Sequence, residues 1–279
     1  MTFKESNVIY VRFKCMDVTL DSIRDIRLYQ PKRGYRFSAD ALLLYDFVNL
    51  KNVRRIADLG AGSGIVGILL AKTYPDAEII LFEIQDSLAT LADKNITLNS
   101  LEDRVRVIKT DIRILTSQQS TVNSLQSKDA HQFYVCDGLS TYDWRLAANS
   151  FDLVVSNPPF RRPKSGFINI GEEKAIAKHE IKLRLHELID AASYLLRAKG
   201  RFCMVYHPCR LSELMEILKK RGLEPKRLRF VHSSISSEAK MILLEAIKGG
   251  KGGIKVEKPL YIYRENGSYT DEVEKIYNL

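Results

Sequence analysis

Residues 53–74 read VRRIADLGAGSGIVGILLAKTY, and this stretch decides the fold. Its first part, VRRIADLG, is a short apolar run that contains β-branched residues, which is typical of a buried strand. Three closely spaced glycines follow, and IVGILLAKTY then has helical character until Pro75 ends it. The stretch therefore predicts a strand that turns through glycines directly into a helix.

The same alternation continues along the chain and predicts an α/β sheet with helices on both faces. The expected strands are 53–60, 78–84, 105–111, 151–160 and 201–208. The expected helices are 65–74, 86–100, 179–200 and 211–222. The third is expected to be a long amphipathic helix with Gly200 as its C-cap. Residues 225–233 and 239–248 are expected to close the sheet as an antiparallel pair.

Two segments interrupt this pattern within an expected single domain over residues 1–279. Residues 116–150 are polar and rich in Ser and Gln, which favours a partly disordered surface insertion, although their aromatic residues leave open a hairpin that touches substrate. Residues 248–255, KGGKGGIK, begin a basic glycine-rich C-terminal segment (248–279) and cannot pack a core. Residues 1–52 form an N-terminal extension before the first strand.

Composition and charge narrow the class of protein. The 279 residues include 43 Lys and Arg against 34 Asp and Glu, a net charge of +9. The hydrophobic content of 45% can build a core. No apolar run approaches the ~18 residues of a membrane span, and no signal-peptide core is seen. The four cysteines make neither a disulfide framework nor a metal knuckle. We expect a soluble cytoplasmic protein without a metal, and the charge suggests an acidic partner.

The loop DLGAGSGIVG at residues 58–67 has the chemistry of a nucleoside-binding loop. Gly60, Gly62 and Gly64 let the backbone approach a ligand closely, and the following helix offers free N–H groups. Glu83 ends the next strand, 83 − 64 = 19 residues further on, where a carboxylate can accept hydrogen bonds from a ribose diol. The loop alone does not say which nucleoside is bound.

Two classes of protein fit this loop. Residues 62–67 form a literal G-x-G-x-x-G, which together with Glu83 is also typical of a nicotinamide dehydrogenase. The other pattern, an acidic residue followed by alternating glycines, begins at Asp58 and resembles motif I of the class I S-adenosylmethionine-dependent methyltransferases. A third interpretation is that the glycines only make a tight strand–helix turn. The methyltransferase is favoured over the dehydrogenase by about two to one.

The tetrapeptide Asn157-Pro158-Pro159-Phe160 follows the strand-like run FDLVVS and separates the two classes. Its prolines fix φ and make a rigid turn, which can aim the Asn157 side-chain oxygen and the Pro158 carbonyl into one pocket. Two such acceptors match the two N–H bonds of a planar amino group, and Phe160 supplies a flat apolar wall. The plainer alternative is a proline-stiffened loop. With the glycine loop before it, the tetrapeptide resembles motif IV of methyltransferases that modify exocyclic or amide nitrogens.

A further signature, QPKRGYRFSADA at residues 30–41, precedes the glycine loop. Together with GAGSG and NPPF it resembles the bacterial tRNA-valine adenine-N6-methyltransferases, which methylate an adenine beside the anticodon. The resemblance covers most of residues 25–115 and 150–275, and the insertion departs from it. It implies a Rossmann-like, mostly parallel seven-stranded sheet with an antiparallel closing strand. It also implies S-adenosylmethionine as the cofactor and tRNA as the partner, with a monomer favoured.

The resemblance implies roles for individual residues. Asn157 and Pro158 would be catalytic by orienting the target amine, with Phe160 stacked on the target base. The residues that would bind the cofactor are Phe37, Ser38, Asp58, Gly60, Gly62, Gly64, Glu83, Ile84, Asp111, Ile112 and Asn157. Within this set the resemblance assigns Phe37 and Ser38 to the methionine end, Glu83 to the ribose and Asp111 to the adenine amine.

Basic residues near these motifs are candidates for contacts with RNA phosphates. They are Lys32, Arg33 and Arg36 in the signature, Arg161, Arg162 and Lys164 after the tetrapeptide, and Lys248, Lys251 and Lys255 in the glycine segment. For the last group, a solvated surface is an equal alternative.

Two other functions remain open at this point. An enzyme that methylates a glutamine amide of a translation release factor would also use the tetrapeptide. It usually carries a longer N-terminal helical domain, whereas only 57 residues precede Asp58 here. A non-catalytic RNA-binding protein of the same fold is disfavoured by the intact tetrapeptide and Glu83.

Overall fold

Two β-sheets organise the chain, one of three strands near the N-terminus and one of nine strands after it. The structure is a computed structural model that describes residues 10–13, 16–32, 39–117, 148–158 and 184–277. The small sheet consists of β1 (Tyr10–Phe13), β2 (Met16–Ile23) and β3 (Ile26–Pro31). The strands of the large sheet are β4 (Arg55–Leu59), β5 (Glu78–Glu83), β6 (Val105–Lys109), β7 (Phe151–Ser156), β8 (Leu196–Tyr206), β9 (Leu223–His232), β10 (Ala239–Lys248), β11 (Lys255–Val256) and β12 (Leu260–Tyr261).

Seven α-helices are described, together with a short 3-10 helix at Pro208–Arg210. They are α1 (Ala39–Phe47), α2 (Ile65–Thr73), α3 (Asp86–Leu98), α4 (Ile114–Ser117), α5 (Leu185–Leu195), α6 (Leu211–Lys220) and α7 (Asp271–Tyr277). Among the described residues, none of these helices combines the length and the apolar character that crossing a membrane requires.

The strand order of the large sheet is β11-β9-β10-β8-β7-β4-β5-β6, with β12 also paired to β9. Strands β4 to β8 pair in parallel, whereas β10 is antiparallel to both β8 and β9. The prediction of a mostly parallel sheet with an antiparallel closing strand is therefore confirmed. The seven predicted strands correspond to β4–β10, and the two-residue strands β11 and β12, which were not predicted, bring the described sheet to nine. The order reverses at β4, which lies between β7 and β5, and such a switch point is where open α/β sheets bind ligands.

Both faces of the large sheet are buried, as β5 illustrates. Ile79 and Leu81 belong to a core shared with α1, α2 and α3, whereas Ile80 and Phe82 belong to a second core shared with α5 and α6. Because neighbouring side chains of a strand point to opposite faces, a strand covered on both sides reads as an uninterrupted apolar run. Helices on both faces were the sequence prediction, and they are observed.

The predicted helix 179–200 is wrong over its last five residues, and its first five, 179–183, lie outside the described residues. Helix α5 ends at Leu195, and β8 begins at Leu196, five residues before the predicted strand. Leu196 pairs with Phe151 of β7, so residues 196–200 belong to the sheet. The sequence contains no helix breaker before Gly200, which is why the local pattern predicts that the helix continues. Gly200 does not cap a helix: it lies within β8, where an added Cβ would stand 2.8 Å from the carbonyl oxygen of Phe151.

The N-terminal sheet was not predicted, since residues 1–52 were expected only as an extension. Strands β2 and β3 form an antiparallel hairpin in which Ile23 pairs with Ile26. The turn between them is Arg24-Asp25, with Arg24 at a φ of +53°. This pair lacks the Asn-Gly or Asp-Gly signal of a tight hairpin, which explains why the sequence pattern concealed it.

Candidate cofactor and substrate site

The ends of four adjacent parallel strands bring the predicted site residues to one edge of the large sheet. Asp58 of β4 pairs with Val155 of β7, so Gly60 and Asn157 continue side by side beyond these strands. On the other side of β4, the backbone N–H groups of Gly60 and Ala61 both donate to the Phe82 carbonyl of β5, at 2.9 and 3.0 Å. The tetrapeptide and the glycine loop, far apart in sequence, are therefore neighbours.

The glycine loop adopts backbone conformations that other residues rarely take. Gly60, Gly62 and Gly64 have φ values of +73°, +59° and +88°. Gly60 faces open space, since nothing lies within 4 Å of the position that a Cβ would occupy. Gly64, in contrast, has the side chain of Leu81 3.1 Å from that position. The first glycine thus leaves room for a ligand, and the third lets the loop pack on β5.

Gly67 explains why the dehydrogenase motif G-x-G-x-x-G also occurs here. It lies in the first part of α2, where an added Cβ would meet Leu81 at 2.2 Å. Its backbone N–H donates to the Asp58 carboxylate at 3.1 Å. The glycine is therefore required for close packing between α2 and the sheet, which both classes of nucleotide-binding fold share.

Glu83 fixes the loop through both of its carboxylate oxygens. Oε2 accepts a hydrogen bond from the N–H of Gly62 at 2.9 Å, and Oε1 accepts one from the N–H of Gln85 at 2.8 Å. The side chain is only 4% exposed. Each carboxylate oxygen has a second lone pair, so these bonds set the orientation of the group without using its full accepting capacity.

Asp58, which the resemblance includes among the cofactor-binding residues, lies behind the glycine loop. Its side chain is 2% exposed, and it braces α2 through the N–H of Gly67. Burial is the main cause that raises the pKa of Asp58 to about 7. The negative charge of Glu83 raises it further, and the Gly67 hydrogen bond opposes both. Asp58 therefore shapes the loop rather than presenting a carboxylate at its surface.

Ile84, Asp111 and Ile112 lie beside Glu83 at the ends of β5 and β6. Thr110 donates its N–H to the Glu83 carbonyl at 3.0 Å, which brings Asp111 next to that strand end. Ile84 is 42% exposed, an unusual state for an isoleucine, whereas Ile112 is buried. The side chain and backbone N–H of Arg113 both donate to Asp111, and these hydrogen bonds lower the pKa of its carboxyl.

Asn157 and Pro158 are half-buried at the end of β7. The preceding residue, Ser156, donates its hydroxyl to the Leu59 carbonyl at 2.8 Å and so ties β7 to β4 directly below the glycine loop. The other predicted residues of this region lie outside the described residues. They are Phe37, Ser38 and Phe160, and the basic residues Arg33, Arg36, Arg161, Arg162 and Lys164.

The basic glycine segment lies at the opposite edge of the sheet. Lys248 pairs with Leu223, the first residue of β9. Because β10 is antiparallel to both β8 and β9, β9 runs in the same direction as the parallel strands. Lys248 therefore lies where these strands begin, whereas the site lies where they end. The Lys248 ammonium donates to Asn149 Oδ1 at 2.7 Å and to the Leu196 carbonyl at 2.8 Å. Lys251 is exposed on the same side. These lysines, predicted as candidate contacts with RNA phosphates, therefore lie at the edge of the sheet opposite the glycine loop.

One buried polar atom at the site was missed by the sequence analysis. Among the described residues, the Ser63 hydroxyl has no hydrogen-bond partner although the residue is 2% exposed. An orphaned hydroxyl in the loop, the open space at Gly60 and the exposed Ile84 fit a ligand with both polar and apolar parts. A serine between two glycines gives no sequence signal for such a role.

Comparisons with known proteins agree with this site. Residues 38–123 match the family model "Methyltransferase small domain". A tRNA1(Val) (adenine(37)-N6)-methyltransferase of Porphyromonas gingivalis is 30% identical over 67% of this chain and 63% of its own length. A protein of the same name from Bacteroides thetaiotaomicron is 24% identical over 74% of this chain and 79% of its own length. Another from Aeromonas hydrophila is 26% identical over 85% of this chain and 86% of its own length.

Solved structures share the fold. A predicted O-methyltransferase from Agrobacterium tumefaciens superposes with a TM-score of 0.62 at 20% identity, covering 86% of this chain and 95% of its own. TYW2 of P. horikoshii, solved in complex with MeSAdo, gives 0.53 at 17% identity, covering 84% of this chain and 72% of its own. Fold and loop thus define a class I S-adenosylmethionine-dependent methyltransferase. Within this class, the curated relatives that this chain resembles are tRNA1(Val) (adenine(37)-N6)-methyltransferases of several bacteria.

Proposed function

We propose that this protein transfers a methyl group from S-adenosylmethionine to the exocyclic N6 amine of an adenine in the anticodon loop of valine tRNA. The observation that carries the proposal is the meeting of Asn157 and Gly60 at the switch point of the sheet, which puts an amine-orienting turn beside a cofactor loop. The names of the relatives support the choice of nucleic acid.

The cofactor would lie along the strand ends of β4, β5 and β6. The open space at Gly60 would admit the part of the cofactor that lies against the loop backbone. Glu83 would accept hydrogen bonds from its ribose hydroxyls, and Asp111 would accept one from its adenine amine. The exposed Ile84 side chain offers an apolar surface to the adenine ring. Phe37 and Ser38 would complete the site at the methionine end.

The target amine would be held by Asn157 and Pro158. Two carbonyl acceptors draw the nitrogen away from planarity, so its lone pair becomes available for attack. S-adenosylmethionine supplies a methyl group on a sulfonium, so the new N–C bond forms as the C–S bond breaks. The amine then loses a proton to water, and the chain needs to supply only alignment and acceptors.

An anticodon loop presents splayed bases, which lowers the cost of bringing one into a pocket. The basic residues that would meet its phosphates are those of the N-terminal signature and of the run after the tetrapeptide: Lys32, Arg33, Arg36, Arg161, Arg162 and Lys164. We further propose that the chain acts as a metal-free, single-domain monomer in the cytoplasm, where its RNA substrate occurs.

The test is to incubate the protein with labelled S-adenosylmethionine and, in parallel, total tRNA, ribosomal RNA and a translation release factor. We expect label in tRNA, and nucleoside mass spectrometry of that pool is expected to yield N6-methyladenosine. Sequencing of the labelled tRNA identifies the isoacceptor and position. Label in the release factor would instead show a glutamine methyltransferase, and cofactor binding without transfer to any pool would show a non-catalytic protein.

A further inference from the structure

Two asparagines, Asn95 within α3 and Asn99 directly after its last residue, bond the free edge of the N-terminal sheet. Asn95 and Asn99 are four residues apart and are 0% and 8% exposed. The Asn95 amide accepts from the Tyr29 N–H at 2.7 Å and donates to the Tyr29 carbonyl at 3.0 Å. The Asn99 amide makes the same pair of bonds with Arg27, at 3.0 and 2.7 Å.

The spacing explains why a helix can take the place of a strand here. Four helical residues advance by about 6 Å, and two strand residues advance by about 6.6 Å. Asn95 and Asn99 therefore meet Tyr29 and Arg27, which point their backbone groups to the same side of β3. The two amides replace the missing neighbouring strand and satisfy four backbone groups at the edge of β3.

The two asparagines differ in the second hydrogen of the amide nitrogen. Asn99 donates it to the carbonyl of Asn95 in α3, at 2.7 Å. Asn95 donates it to the carbonyl of Ser63, at 2.9 Å. The Asn95 side chain is therefore bonded at once to β3 and to the glycine loop. Among the described residues, the Asn99 side chain is bonded to β3 and α3 alone, and the Asn99 backbone carbonyl accepts a hydrogen bond from Lys72 of α2 at 3.2 Å.

The Ser63 peptide is a sensitive point of the loop. It lies between Gly62 and Gly64, which both need positive φ, and the Gly62 N–H is the donor to Glu83. A carbonyl held at Ser63 limits rotation of the adjoining peptides, and it holds them in the conformation in which Glu83 is bound. On its other side, β3 leads into the signature at residues 30–41.

We propose that Asn95 is a positioning residue for cofactor binding, which holds the glycine loop in register with the strand that leads into the N-terminal signature. The proposal rests on the proposed function only through the cofactor. A protein that binds S-adenosylmethionine but methylates no RNA would refute the function and leave this proposal testable by binding alone.

The test compares Asn95→Ala with Asn99→Ala, which each remove one pair of bonds to β3. Calorimetric titration with S-adenosylmethionine is expected to give a Kd at least about tenfold higher for Asn95→Ala and within about twofold of the unmodified chain for Asn99→Ala. Thermal unfolding of both variants checks that each is folded at the titration temperature. If Asn95→Ala does not fold, Asn95→Ser replaces it, because its hydroxyl keeps a polar group at this buried position but has a single hydrogen and cannot donate to both the Tyr29 and the Ser63 carbonyl.

Hydrogen exchange without cofactor supplies a second readout. Exchange of the amides at residues 60–64 is expected to accelerate in the Asn95 variant and to stay unchanged in Asn99→Ala. Equal losses of affinity in the two variants, or unchanged affinity and loop exchange in the Asn95 variant, would show that both asparagines serve only to attach the small sheet, and the proposal would be overturned.

Discussion

The protein has two glycine-rich segments, GAGSG at residues 60–64 and GGKGG at residues 249–253, at opposite edges of one sheet. In the first, a carboxylate binds the backbone N–H of Gly62, and the loop is largely buried. In the second, Lys226 donates to the carbonyls of Lys251 and Gly253, at 3.1 and 2.7 Å, and the segment is exposed. Similar composition thus supports opposite arrangements of the backbone polar groups.

The difference teaches that glycine content does not by itself mark a ligand site. The first segment follows a parallel strand and precedes a helix, so its backbone is aimed into the crevice at the switch point. The second follows the antiparallel strand β10, and lysines satisfy its carbonyls. Variants at the two edges should therefore separate effects on chemistry from effects on stability.

The largest effect is expected from Asn157→Ala. Removal of one acceptor for the target amine should lower kcat by about 100-fold or more, as for other single groups that act in the transition state. The Kd of S-adenosylmethionine should stay within about threefold. Single-turnover methylation of tRNA and calorimetry measure the two quantities.

A matched control for this variant lies at the other edge, where Asn149 accepts from Lys248. Asn149→Gly suits its φ of +53° and should leave kcat within about twofold. Near-normal turnover in Asn157→Ala would contradict the role given to the tetrapeptide.

Glu83→Gln should weaken the binding of S-adenosylmethionine by at least about tenfold. The glutamine amide turns an N–H₂ donor toward the Gly62 or Gln85 N–H, so one loop bond is lost together with an acceptor for the ribose. Lys226→Met removes the corresponding bonds of the other glycine segment and should change this Kd by less than about twofold. Equal effects of the two variants on affinity would erase the distinction between the segments.

Asp58→Asn tests the buried carboxyl behind the first segment. The pKa of Asp58 is raised above its usual 3.8 to about 7 in the folded chain, so the native state binds more protons than the unfolded state between these values. Between about pH 4 and 7, Asp58 is ionised in the unfolded chain and protonated in the folded chain. The free energy of unfolding should therefore fall as the pH rises through this range, by at most about 1.4 kcal/mol per pH unit.

The asparagine variant lacks this contribution and still offers a carbonyl to the Gly67 N–H. Urea unfolding of both proteins at pH 5 and pH 8 measures the difference. The unmodified chain should lose stability relative to Asp58→Asn between pH 5 and pH 8. If the difference in free energy of unfolding between the two proteins is the same at both pH values, the raised pKa of Asp58 is refuted.

The smallest effect on activity is expected from Lys248→Met. Loss of the bonds to Asn149 and the Leu196 carbonyl should lower the free energy of unfolding by about 1–3 kcal/mol. The KM for tRNA should change by less than about twofold, because this lysine lies away from the site edge. A large rise in the KM for tRNA without a loss of stability would contradict this prediction and indicate that the basic glycine segment contacts RNA.

The sequence predicted the large sheet well because its strands and helices differ in period and carry strong end signals. It was wrong where the helical pattern continued beyond the true end of a helix. Leu196 begins a strand because it pairs with β7, and this pairing cannot be seen in the local sequence. The sequence also missed the hairpin of β2 and β3, whose Arg24-Asp25 turn lacks the glycine of the usual tight-hairpin signal.

For the candidate site, the sequence by itself identified Gly60, Glu83 and Asn157 as chemically suited to a cofactor and an amine, because their types and order are unusual outside such a site. Only the tertiary structure decided which of the charged and polar residues work together. It buried Asp58 behind the loop, placed Lys248 at the far edge, and joined Asn95 to Ser63. These relations depend on strand direction and on contacts between distant segments, which no local pattern of residues records.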